Sequence, residues 1–114
     1  MNTKHMQTVM GLIEEFRKLH PEFPPQMMLT FLWVAHKPGI TLRELTQHVG
    51  TSQSSMNKVV LQLAQEGSHG REGYNLVRTE FDPSDAKRKI VFLAPKGKRV
   101  LYSLTRLMEQ AGNG

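Results

Sequence analysis

The sequence predicts a mainly α-helical chain with one small β-hairpin, and three observations predict it. Helical periodicity or helix-cap chemistry recurs in five stretches. Two of these helices are separated only by a tight Gly-containing turn at Gly50-Thr51-Ser52. Two short apolar runs, 76–81 and 90–93, are joined through Asp82-Pro83-Ser84-Asp85, whose Asp and Pro signal a turn. With 114 residues, 39% hydrophobic and 22% charged, the chain has the size and mixture of one small globular domain. It contains no cysteine, which excludes disulfide scaffolds, zinc fingers, thiol catalysis and cysteine-based redox sensing together. No apolar run reaches the roughly 18 residues that a membrane span needs, so no membrane partner is expected. The first residues lead into an amphipathic pattern rather than a signal core, and the expected compartment is the cytoplasm.

The first helix is predicted over 3–20. Val9, Leu12, Ile13, Phe16 and Leu19 share one face, and Met6 and Met10 widen it. The resulting arc covers about 180°, more than the roughly 100° stripe that one core contact requires. Such a face is gripped from two sides or contributes to a subunit interface. Pro21 and Pro24-Pro25 then break the chain, and Pro25 suits the first turn of the next helix, where no hydrogen bond is lost. The stretch 27–36 is apolar almost all round apart from Thr30 and reads as a buried central helix, with His36 a partly buried, satisfied histidine. Pro38-Gly39 ends it.

The helix-turn-helix is predicted over 41–67. Thr41 with Glu44 three residues on forms a capping box at the start of the third helix, which Gly50 closes. Ser52 caps the fourth, expected from Gln53 to about Glu66. Met56, Val59, Val60 and Leu63 of the fourth helix point to the core; Ser54, Ser55, Asn57, Lys58, Gln62 and Gln65 point away, with Leu61 unexplained among them. Short hydrogen-bonding side chains and a single cation on an exposed first turn suit a helix laid in a DNA major groove. Asn pairs with adenine, Ser reads several base edges, and Lys meets guanine or phosphate. The glycine-rich stretch 67–75 follows a helix end, which is the wrong context for a phosphate loop, and reads as a flexible linker. The hairpin occupies 76–93 with a cationic shoulder at Lys87-Arg88-Lys89. The last helix follows Pro95, over 96–111, with Val100, Leu101, Leu104, Leu107, Met108 and Ala111 as its apolar arc and a frayed end from Gly112.

A hairpin beside a helix-turn-helix is a winged helix. Charge placement agrees with a nucleic-acid partner. The net charge is +5, and residues 71–114 hold nine basic against five acidic groups, while residues 1–70 hold six against five. Catalysis has no foothold. The five histidines lack metal-ligand spacing, no Gly-x-Ser-x-Gly elbow occurs, and Asp82 and Asp85 read as turn residues; neither metal nor cofactor is expected. The alternative is a winged-helix module that binds another protein, which would have no use for a cationic wing.

Two stretches carry a resemblance to a known family. The first runs from Leu45 through Thr51, Ser52 and Met56 to Leu63 and Gly67 with unbroken helix-turn-helix spacing. The second is an Asp82-Pro83-Ser84-Asp85 turn, the basic Lys87-Arg88-Lys89, the apolar Ile90-Val91-Phe92-Leu93, then Pro95-Lys96-Gly97. With these the chain resembles the MarR family of bacterial winged-helix regulators over most of its length. The resemblance implies a homodimeric regulator that binds double-stranded DNA specifically. The recognition helix lies in the major groove and the wing on the flanking backbone or minor groove. DNA contacts map onto Gln53, Ser54, Ser55, Asn57 and Lys58, and onto Lys87, Arg88 and Lys89 of the wing. Dimerisation maps onto the first and last helices, through Val9, Leu12, Ile13, Phe16, Leu101, Leu104 and Met108. Many members also bind small aromatic effectors; here Phe31, Trp33, His36 and the methionines are read as packed core instead. The chain departs from the pattern in an insertion at 68–75, in Ala86 for a basic residue, in Lys87 for arginine, and in Ala94 for a capping threonine.

Overall fold

A computed structural model describes residues 3–67 and 71–113. The chain forms α1 (Thr3–Arg17), α2 (Pro25–His36), β1 (Ile40–Thr41), α3 (Leu42–Val49), α4 (Gln53–Leu63), β2 (Val77–Asp82), β3 (Asp85–Leu93) and α5 (Pro95–Asn113). The strands make one antiparallel sheet in the order β1-β3-β2, with Ile40 opposite Val91, Thr79 opposite Val91 on the other side, and Phe81 opposite Lys89. The fold is mostly helical with a small sheet, as the periodicity predicts.

One cluster of buried side chains ties the elements together. Phe16 of α1 stacks on Phe23, with centroids 5.6 Å apart, and meets the edge of Phe31 of α2. Ile40, Leu45, Met56, Leu63, Leu76 and Val91 complete the interior from the helix-turn-helix and the sheet. Thr30 is fully buried, and its hydroxyl donates to the Gln26 carbonyl at 2.8 Å, so the polar interruption in α2 is satisfied one turn back.

Several boundaries differ from expectation for local reasons. α1 ends at Arg17 rather than at residue 20. Its guanidinium donates to the Pro21 carbonyl, and the Leu19 N–H donates back to Phe16 in a tighter turn. α2 is not buried all round. Leu29, Leu32 and His36 are exposed, because α1, α3, α4 and the sheet together leave that side of the helix uncovered. α4 stops at Leu63 instead of near residue 66. The carbonyls of Gln62, Leu63, Ala64 and Gln65 accept from the N–H groups of Tyr74, Leu76, Asn75 and Gly73 respectively. The chain after the helix is thus zipped back onto its end rather than acting as a free linker, and Tyr74 sets its ring against Phe23 at 5.1 Å. The part of the predicted insertion at 68–70 lies outside the described residues. β3 begins at Asp85, five residues before the predicted run, so only Pro83 and Ser84 form the turn. β1 was not anticipated, being two residues long. α5 continues through Gly112 to Asn113.

Candidate nucleic-acid interface

The helix-turn-helix is positioned by its caps. The Thr41 hydroxyl accepts from the Glu44 N–H at 3.0 Å and the Glu44 carboxylate from the Thr41 N–H at 3.1 Å, as the capping-box spacing predicts. Glu44 also forms an ion pair with Lys37. The Lys37 hydrogen bond first, then the Thr41 N–H, lower the Glu44 carboxyl pKa from 4.5 to about 2. Gly50 closes α3 at φ 77°, the left-handed region that a Cβ disfavours, and so sets the sharp angle into α4. Ser52 caps α4 by accepting from the Ser55 N–H at 3.0 Å. With both ends fixed, Met56, Val59, Val60 and Leu63 are buried, while Gln53, Ser54, Ser55, Asn57 and Lys58 stand exposed.

The wing is held as firmly. The Asp82 carboxylate accepts from the Ser84 N–H at 2.9 Å and the Ser84 hydroxyl at 2.8 Å. These two bonds, with the Arg88 guanidinium 3.9 Å away, lower its pKa below the ordinary carboxylate value. The Lys87 N–H donates to the Asp85 carboxylate at 3.0 Å. The three cations therefore belong to a strand, at the stretch where its pairing with β2 shifts register.

Between these two parts lies a concave groove of about 870 Å³. It gathers Gln53 and Asn57 of α4 with Lys87, Arg88 and Lys89 of β3, five of the eight nucleic-acid residues that the sequence singles out. Ser54, Ser55 and Lys58 are exposed on α4 outside the groove wall, and the Ser55 hydroxyl accepts from Ser52 at 3.0 Å within the cap. Sequence reasoning missed Thr41, Arg43, Gln47 and Phe81, which also line the groove. Arg43 and Gln47 were legible in principle, since they fall four apart on the polar face of α3. Phe81 required knowledge of the strand register.

The residues expected to join two copies divide into two groups. Phe16 and Leu104 are buried inside the protomer, and Leu12 and Leu101 are half-buried against the core. Val9 at 55%, Met10 at 57% and Met108 at 51% are exposed, with Ile13 beside them, on helices that pack against each other. Phe31 is core, as expected. Trp33 and His36, however, line an open recess of about 210 Å³ with Leu29 and Leu32, and the indole stacks on His48 at 4.0 Å. Among the described residues no cluster of His, Asp or Glu could hold a metal ion, and no helix is long and apolar enough to cross a membrane.

No protein-family model matches the sequence, and no curated protein does. Among solved structures the chain is similar to the MepR–DNA complex of S. aureus, with a TM-score of 0.69 and 14% identity over 95% of this chain and 78% of that one. It is also similar to the PcaV transcriptional regulator of Streptomyces coelicolor in complex with its natural ligand, with a TM-score of 0.62 and 21% identity over 96% and 72%. The transcriptional regulator Tm0710 of Thermotoga maritima matches with a TM-score of 0.66 and 18% identity over 92% and 70%. The chain has the MarR-type winged-helix fold.

Proposed function

We propose that this chain is a homodimeric transcription regulator that binds double-stranded DNA sequence-specifically in the cytoplasm. The observation that carries the reading is the groove in which the exposed polar side of α4 faces the lysines of the wing. Gln53 and Asn57 present amide donors and acceptors suited to base edges in the major groove. Lys87, Arg88 and Lys89 present charge suited to the flanking backbone or minor groove. MepR, which shares the fold, is bound to DNA in its own structure, and that supports DNA as the partner here. The exposed Val9, Ile13 and Met108 favour a second copy packed along α1 and α5, which sets two recognition helices side by side for two half-sites.

Fragments selected from random DNA, with binding measured across a salt series, test the reading. A dimer that neutralises about 6–10 phosphates loses roughly 10³–10⁵-fold in affinity between 50 and 200 mM salt. Enrichment of a palindromic sequence is expected. Failure to bind any duplex at low salt would overturn the proposal.

A further inference from the structure

We propose that Phe81 is a DNA-contacting residue of the wing, an apolar patch that covers deoxyribose and base-edge surface while the lysines beside it meet phosphates. Phe81 is the last residue of β2 before the register shift at Phe81/Asp82, and it sits directly opposite Lys89. Residues directly opposite in an antiparallel pair project to the same face. That face begins with the buried Val77 and Val91 and leads out along Thr79 to Phe81 and Lys89, into the groove opposite Asn57. The ring is 60% exposed. Among the described residues no other ring or cation stacks on it, whereas Phe92, on the outer face, lies under the Arg78 guanidinium at 4.6 Å. The regular pairing of the wing ends at this residue, and a bare aromatic set among cations on a groove wall suits a surface that is itself both anionic and apolar. The sugar faces of a nucleic-acid backbone have that character, with phosphates alternating between them.

The inference rests on the reading of duplex DNA as the ligand, and its signature differs from that of a charge contact. Burying apolar surface releases no counterion, so its contribution persists as salt rises. Phe81→Ala, Phe81→Leu and Lys89→Ala are compared with the unaltered protein on one selected duplex over a salt series, with thermal midpoints recorded in parallel. Phe81→Ala is expected to weaken binding about tenfold at every salt concentration with an unchanged slope. Phe81→Leu should retain most of the affinity, and the Lys89→Ala loss should shrink as salt rises. If Phe81→Ala lowers the thermal midpoint, Phe81→Thr, which keeps strand propensity, decides in its place. Unaltered affinity, or a loss that takes the salt slope with it, overturns the proposal. If the unaltered protein ignores DNA, the functional reading falls and the inference with it. If it binds and Lys89→Ala responds while Phe81→Ala does not, the inference alone falls.

Discussion

Gly97 passes against Leu76 so closely that a Cβ at residue 97 would overlap the Leu76 carbonyl oxygen. That carbonyl accepts the Ala94 N–H at 2.9 Å, and Leu76 is wholly buried, so the start of β2 and the start of α5 are joined at one point. The contact gives the glycine of Pro95-Lys96-Gly97 a physical reason: α5 can cross the sheet this tightly only where a side chain is missing. Gly97→Ala is expected to destabilise the chain by about 1–3 kcal/mol through displaced backbone. Gly11→Ala, also helical, meets only Leu107 side-chain atoms at ordinary contact distance and should gain up to about 1 kcal/mol of helix propensity. Urea unfolding of the two variants checks the contrast; equal effects would contradict it.

The Glu44 carboxylate is the group most clearly coupled to pH. Its folded pKa lies at about 2 against an ordinary 4.5, held down by Lys37 and then by the Thr41 N–H. A carboxylate depressed in this way adds stability that is complete above its unfolded value. That stability is lost as pH falls from about 4.5 towards 2. Glu44→Gln should flatten the acid limb of the stability curve within that window. Thr41→Ala should cost about 1 kcal/mol already at neutral pH by removing the cap. Unfolding midpoints followed from neutral to acid pH distinguish the two.

Much of this fold was legible because its signals are local. Thr41 with Glu44, Gly50, Ser52 and Pro25 each act within one helical turn, and each stands where its chemistry predicts. What was missed depends on distant partners. The exposure of Leu29 and Leu32 on α2 reflects what fails to cover them, which no helical wheel contains. The early end of α4 depends on N–H groups eight or more residues later. Among the candidate contacts, Gln53 and Asn57 follow from the helix face alone. The pairing of Phe81 with Lys89 needs a register that the apolar run 90–93 does not specify, because β3 extends into residues that read as a turn.

Base reading and phosphate binding should separate by residue. Asn57 lines the groove from α4 and carries an amide suited to a base edge, so under the proposed function Asn57→Ala is expected to relax base preference by about 1–3 kcal/mol at one position. Lys87→Ala is expected to weaken binding to all sequences alike and to lower the salt slope by about 1. Binding of both variants to a selected duplex and to random duplex measures the division. Equal losses on the two DNAs from both variants would contradict it.

The apolar sides of α1 and α5 make the last distinction, between residues that hold the protomer and residues assigned to the proposed dimer. Val9 and Ile13 are exposed in the single chain and Phe16, on the same helix, is buried against Phe23 and Phe31. Replacing both residues (Val9→Glu with Ile13→Glu) places charge on the half-exposed side of α1 and spares the buried Phe16, so the chain should stay folded while the proposed dimer falls from the mass of two chains to that of one. Each half-site would then be bound alone, and affinity for a two-half-site duplex should fall by about 10²–10⁴-fold with the loss of the linked second contact. Phe16→Ala should instead cost about 3–5 kcal/mol of folding stability whatever the oligomeric state. Sedimentation equilibrium beside thermal unfolding separates these outcomes. A double-glutamate variant that still sediments as two chains would move the interface off α1.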